Sequence, residues 1–194
     1  MLLEVESLSE TNVIEVLWDE YVPIIIEGGD SYENSIWRSR SNEKGLCSID
    51  LRFDDGVFHR FVLLAHPDCE LKILSGRDDS AAVVEGVPIF RPLEDAVRAR
   101  HLSLYDSPCS FWVGLNEPER FIQVSFGEQA VTRIVRSGSR VEWGIGEKDE
   151  LVFVRVVECS GEMIQNLKDI FERDRHPEKP QPIRKRQLWF RWRK

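Results

Sequence analysis

The chain has 194 residues, 42% hydrophobic and 31% charged, with 26 Lys and Arg against 34 Asp and Glu for a formal net charge of −8. That length fits one domain with an appendage, because single cores stop growing near ~250 residues, and the apolar content excludes a wholly disordered chain. Apolar runs such as Val22 to Ile26 fall far short of the ~20 residues a membrane helix needs.

Residues 2 to 6 read as a short strand. Ser9 is a candidate N-cap for a helix with Val13, Ile14, Leu17, Trp18 and Tyr21 on one face, ended by Pro23. Gly28-Gly29-Asp30-Ser31 reads as a loop. From Leu46 to His66, two alternating runs flank Asp54-Asp55-Gly56, which predicts a hairpin with Gly56 in the left-handed third position of its loop. Pairing Phe53 with Val57 then sets Cys47 opposite Leu63, Ile49 opposite Phe61 and Leu51 opposite His59 on one face, with Asp50 opposite Arg60 on the other. Glu70 to Leu74 and Ala82 toward Phe90 are further candidate strands.

Pro92 to about Leu102 predicts a second helix, with Leu93, Ala96 and Val97 on one side. A meander follows: Phe111 to Leu115, Phe121 to Phe126, Ala130 to Arg136, Ser139 to Ile145 and Leu151 to Glu158, with joints short enough for antiparallel neighbours. A two-residue turn at Ser137-Gly138 sets Ile134 opposite Val141, Thr132 opposite Trp143, Ala130 opposite Ile145, and Arg133 beside Glu142. The strand from Leu151 is apolar on nearly both faces and is predicted to be central. Ser160 caps a third helix through about Asp174, with Met163, Ile164, Leu167, Ile170 and Phe171 as its stripe. The fold class predicted is α+β, a mainly antiparallel sheet with about three flanking helices, forming a single acidic domain over residues 1–175.

Charge is divided sharply along the chain. Residues 176–194 hold seven bases and one acid, a charge of +6, which leaves 19 bases and 33 acids, or −14, on residues 1–175. Three prolines in His176-Pro-Glu-Lys-Pro-Gln-Pro182 predict an extended connector. Beyond it, Arg184, Lys185, Arg186, Arg191 and Arg193 interleave with Trp189, Phe190 and Trp192. Such a tail suits docking onto the acidic body or another subunit, stacking on single-stranded nucleic acid, or an anionic membrane surface. The first 36 residues are the opposite extreme, with nine acids and no Lys or Arg, so a surface built from them repels nucleic acid and attracts basic proteins.

Catalytic and metal signatures are weak. The four cysteines are 22, 40 and 50 residues apart, with no C-x-x-C pair, which matches neither a disulfide lattice nor a zinc knuckle and suits a reducing cytoplasm. Met1-Leu-Leu-Glu-Val-Glu6 lacks the basic region of a signal peptide, so a cytoplasmic location is expected. His59, His66 and Cys69 nominate no fourth ligand, and His101, Asp106 and Cys109 are near in sequence without defining a triad. Neither a G-x-S-x-G elbow nor an EF-hand order occurs. Arg133, Arg136, Arg140 and Arg155 come from adjacent predicted strands and could converge on an anion, with cross-strand pairing to Glu142 as the simpler reading.

The function expected is that of a non-enzymatic acidic binding protein, of inhibitor, immunity or antidefence type, that recognises a basic protein partner without a cofactor or metal. Glu15, Asp19 and Glu20 would supply the field, and Trp18, Trp37 or Trp112 the anchors. The alternatives are a nucleic-acid-associated protein working through its tail, and a small enzyme with an unrecognised site.

Overall fold

A computed structural model of the chain describes residues 3–10, 14–19, 22–28, 34–40, 46–52, 56–64, 69–77, 80–91, 104–106 and 110–172; for 34–40, 46, 47, 50–52 and 104–106 the description covers the backbone alone. Three sheets and, among the described residues, a single helix make up the fold, so it is mostly β and the expected α+β class with three flanking helices is overturned.

The first predicted helix is a hairpin. β1 (Val5–Ser9) precedes β2 (Glu15–Leu17), which runs antiparallel to β3 (Ile24–Glu27), and the Asp19–Val22 turn is closed by two bonds: Asp19 N–H to Val22 O at 3.0 Å and Val22 N–H to Asp19 Oδ1 at 2.7 Å. The apolar positions that fit a helical period fit period two equally well. Ile14, Val16 and Trp18 are half-buried and pack on the core, while Glu15, Leu17 and Asp19 alternate outward. β-Branched Ile14 and Val16 stiffen an extended chain, and three isoleucines at 24–26 offer a strand to pair with.

That hairpin forms one edge of a six-stranded sheet. Beyond β3 come β6 (Phe58–Leu64), β5 (Leu46–Arg52), β4 (Asn34–Arg40) and, parallel to β4, β10 (Leu104–Asp106). The β5–β6 register places Cys47 opposite Leu63, Ile49 opposite Phe61 and Asp50 opposite Arg60, as expected, but a bulge then sets Leu51 opposite Phe58 rather than His59. Val57 leaves this ladder and bridges to Ile89. Gly56 has the predicted left-handed backbone, at φ +70°, and a Cβ there would sit 1.7 Å from the Phe90 carbonyl oxygen. His59 is the extra residue of the bulge, and its carbonyl accepts from Gly28 N–H at 2.8 Å, while Phe90 N–H bonds Gly56 O at 2.9 Å.

The second sheet has seven strands, in the order β7 (Leu71–Ile73), β11 (Trp112–Asn116), β12 (Phe121–Ser125), β15 (Leu151–Val156), β14 (Val141–Ile145), β13 (Arg133–Ser137) and β8 (Ala82–Glu85). β15 is central with all six residues buried, as its two apolar faces predict. It also inserts between β12 and β14, so the strands follow a Greek-key order instead of a simple meander. The β13–β14 register is shifted too: the loop is Gly138-Ser139-Arg140 with Gly138 at φ +62°, so Ser137 faces Val141, Val135 faces Trp143, and Arg136, not Arg133, meets Glu142.

A two-stranded ribbon, β1 with β9 (Val87–Phe90), ties the two large sheets together. Its β1 end bonds the β14–β15 turn, with Val5 N–H to Asp149 O at 2.8 Å, and its β9 end bonds Gly56 beside β6. All three sheets meet at Trp143, fully buried, whose indole stands edge-on to Phe58 at 4.8 Å and Phe90 at 6.2 Å between ring centroids. The indole N–H donates to Ser137 Oγ at 2.8 Å, which satisfies the one polar atom that burial would otherwise penalise.

The expected C-terminal helix is present as α1 (Gly161–Glu172), capped by Ser160 Oγ accepting from Met163 N–H at 3.1 Å and burying its predicted stripe. It spans both sheets at one end of the core. Lys168 Nζ meets Glu117 beyond β11 at 2.7 Å, and the Asn166 amide donates to Asp19 O beyond β2 at 2.6 Å. The second predicted helix and the basic tail lie outside the described residues.

Candidate protein-binding surface

Each large sheet has a face turned away from the shared core, and the two faces differ in kind. On the seven-stranded sheet, consecutive registers align one residue from every strand into a row: Lys72, Gly114, Gln123, Arg155, Glu142, Arg136 and Glu85. Arg155 Nε donates to Gln123 Oε1 at 2.9 Å and Nη1 to Glu142 Oε2 at 3.1 Å; Arg136 Nη2 donates to the other Glu142 oxygen at 3.2 Å. Gln123 passes a hydrogen bond on to Ser125 Oγ at 2.8 Å. The Arg155 guanidinium also lies between the rings of Phe121 and Phe153, 4.9 and 4.5 Å from their centroids. Arg77 joins from the segment after β7, 3.6 Å from Glu142 and 3.5 Å from Glu119.

Gln123, Ser125, Glu142 and Arg155 are all more than nine-tenths buried. Glu70, Glu85, Glu119 and Glu142 match Lys72, Arg77, Arg136 and Arg155 in number, so among the described residues the row and its ion-pair partners carry no surplus charge to attract an anion. The anion site considered from sequence therefore resolves mainly into cross-strand pairs. Of the other two arginines, Arg133 binds Asp149 at 2.8 Å, and Arg140 lies near Cys159.

The outward face of the six-stranded sheet is exposed and unbalanced. Across β2, β3 and β6 the register aligns Leu17, Ile25 and Val62, with Leu64 two residues further along β6 on the same face. Leu17 is 43% and Leu64 38% exposed, and Ile25 and Val62 are half-buried, so these four form an apolar patch open to solvent. The adjoining row is Glu15, Glu27 and Arg60. Glu15 and Glu27 are directly opposed like charges, an unfavourable cross-strand pair. Arg60 Nε approaches Glu27 at 3.5 Å without forming a hydrogen bond, and no ion pair reaches Glu15 among the described residues. Asp19, exposed at the end of β2, extends the acidic rim.

The sequence-predicted residues are distributed unequally over this surface. Glu15 and Asp19 lie on it, whereas Trp18 points to the opposite side, half-buried against the core. Trp37 pairs with Ile49 across β4–β5, its side chain outside the description, and Glu20 and the tail residues 184–193 are likewise outside it. Trp112 belongs to the other sheet, where Lys72 Nζ sits 4.3 Å over its ring. The apolar members Leu17, Ile25, Val62 and Leu64 went unnominated by sequence reasoning; the alternation of Glu15, Leu17 and Asp19 against Ile14, Val16 and Trp18 was the signal for the first of them.

Evidence of chemistry is sparse by comparison. Among the described residues no group of three or more His, Cys, Asp or Glu is placed to hold a metal. His59 is half-buried and Cys69 buried, while His66, His101 and Cys109 are outside the described residues. Burial pushes the Cys159 thiol up to about 11, against weaker opposition from Arg140, so it is protonated and a poor nucleophile near neutral pH. No described helix is long and apolar enough to cross a membrane. In comparison with known proteins, the chain matches no family model and no curated sequence.

Proposed function

We propose that this protein works by association, binding a basic protein partner through the outward face of its six-stranded sheet. The observation that carries this reading is the juxtaposition of an open apolar patch, Leu17, Ile25, Val62 and Leu64, with an acidic row in which Glu15 opposes Glu27 without a described cation of its own. Contiguous exposed apolar surface with a polar rim is the usual signature of a protein contact. A cation delivered between Glu15 and Glu27 relieves a repulsion that the isolated protein bears, so the bound state gains more than one new ion pair. The −14 charge of residues 1–175 adds long-range attraction that speeds encounter with a basic surface. An inhibitor, immunity or antidefence protein has these requirements: fast capture of a basic target, and no chemistry.

The test is capture of partners by the wild-type chain and by Glu15→Lys and Leu17→Ser variants, followed by titration of the purified pair. A basic protein held by wild type, weakened by both substitutions and unaffected by Glu128→Lys on the exposed loop after β12, is the expected result. Partners that are acidic, or that all four chains bind equally, contradict the reading.

A further inference from the structure

We propose that the basic partner enters as an extended strand, added antiparallel to the open edge of β2, with basic and apolar side chains alternating along it. The basic partner and the outward face rest on the reading above; the open backbone edge is independent of it.

The edge follows from the hydrogen-bond phase of the sheet. β2 ends the six-stranded order, and among the described residues no strand pairs with its far side. Gly28 N–H bonds His59 O at 2.8 Å, which continues the β3–β6 register. Ile24 and Ile26 therefore turn their peptide groups toward β6 as well, and Ile25 and Glu27 turn theirs toward β2. Their partners Leu17 and Glu15 then bond β3, in phase with Asp19 N–H bonding Val22 O at the turn. Ile14, Val16 and Trp18 are left with N–H and C=O directed at the free edge, where among the described residues no hydrogen bond reaches them. Sheet edges are commonly blunted by Pro, Lys or a bulge, and Ile14 to Asp19 hold none of these.

Side chains select what can pair there. Glu15, Leu17 and Asp19 point outward and are exposed, in the order acid, apolar, acid. Opposite an added antiparallel strand, Glu15 and Leu17 occupy the positions without direct hydrogen bonds, where the two chains approach to ~4.5 Å between Cα atoms and side chains are closest. A strand reading basic-x-apolar-x-basic meets all three, and its cation reaches Glu15 from the side away from Glu27 and Arg60. The intervening residues fall on the side of Ile14, Val16 and Trp18, which pack on the core, and there valine or threonine fits best. An acidic strand adds a third like charge to the row, and a second copy of β2 brings its own glutamate, so the row that admits basic strands opposes these others.

The experiment titrates the full chain with a capped peptide, Thr-Lys-Val-Leu-Val-Lys-Thr, and follows backbone amide exchange by NMR. In the free protein the Val16 and Trp18 amides should exchange faster than those of Glu15 and Leu17. Peptide at about ten times its Kd should slow Val16 and Trp18 about ten-fold. Methylating both valine nitrogens removes the N–H groups that face β2 and should weaken binding about ten-fold or more, whereas methylating the leucine nitrogen, which points away, should not. Exchanging both lysines for glutamate, or Glu15→Lys in the protein, should weaken binding about five-fold or more, and Glu128→Lys should leave it unchanged.

Equal affinity of the two methylated peptides, or no slowing at Val16 and Trp18, overturns strand addition. So does Val16 protection that grows with protein concentration without peptide, which places a second copy on the edge. If binding still depends on Glu15 and Leu17 after either result, the outward face stands as the binding surface and only the added strand falls. Protection of Val16 with affinity indifferent to Glu15→Lys, Leu17→Ser and the lysine exchange removes the outward face and the side-chain order proposed for the partner, and leaves β2 a strand acceptor alone.

Discussion

Glu15 sits directly across the β2–β3 ladder from Glu27, and of the two only Glu27 has a described cation nearby, Arg60 at 3.5 Å. A fold selected only for stability would place a Lys or Thr at residue 15. Glu15→Gln should therefore stabilise the isolated protein by a few tenths to about 1 kcal/mol while weakening the complex with a basic partner. Urea unfolding with an unchanged m-value reads the first effect, and titration with the partner reads the second. Opposite signs in the two measurements separate a binding role from a structural one.

The buried row on the other sheet has the reverse logic. Removing Arg155 leaves Glu142 buried without its closest cation, and Arg155→Ala should cost about 3–5 kcal/mol. Arg136, 39% exposed, makes its pair with Glu142 closer to solvent, and Arg136→Ala should cost no more than about 1 kcal/mol. Replacing the pair together, Arg155→Met with Glu142→Leu, should recover much of the loss, because both desolvation penalties disappear. Denaturant melts of the three variants test this order.

Gly56 lies two residues before the buried Phe58, packed against the backbone of Phe90. Its φ of +70°, and the mere 1.7 Å that would separate a Cβ from the Phe90 carbonyl oxygen, leave no room for a methyl group. Gly56→Ala should destabilise by more than about 1 kcal/mol and loosen the Phe90–Gly56 hydrogen bond, seen as faster exchange of the Phe90 amide. Gly138, also at positive φ but with open space around it, should tolerate the same change at a smaller cost.

Cys159 gives the pH dependence. Its thiol is raised from 9.0 to about 11 by burial, so above pH 9 the unfolded chain releases a proton that the folded chain retains. Unfolding then becomes easier as pH rises, and stability should fall between about pH 9 and 11, by an amount on the order of 2–3 kcal/mol. Cys159→Ala should flatten that slope. The native thiol should resist alkylation at neutral pH and react once urea unfolds the chain.

Legibility from sequence followed the range of the interactions. The β5–β6 register was readable because alternating apolar residues and the Asp50–Arg60 pair agree on one alignment, and α1 was readable because Ser160 and a five-residue stripe act locally. The bulge between Arg60 and Phe58 was not, since the regular alternation on both strands gives no sign of the extra residue His59. Nor was the Greek-key insertion of β15, which short joints cannot distinguish from a meander. The first helix failed because its apolar spacing satisfies two periods, and pairing with Ile24–Glu27 decided between them. Of the site, the acids Glu15 and Asp19 were visible in the charge distribution. Its apolar half was hidden because Leu17 and Ile25 face each other only once residues 14–19 are read as a strand, and Val62 and Leu64 join them from β6, far along the chain.

The most direct measurement is the dissociation constant of the purified complex as a function of salt, for wild type and Glu15→Lys. A steep loss of affinity with rising salt in wild type, and a weaker, flatter dependence in Glu15→Lys, is the predicted result. Superimposable curves for the two chains would mean that the partner is held elsewhere, and would contradict the assignment of the six-stranded sheet's outward face as the binding surface.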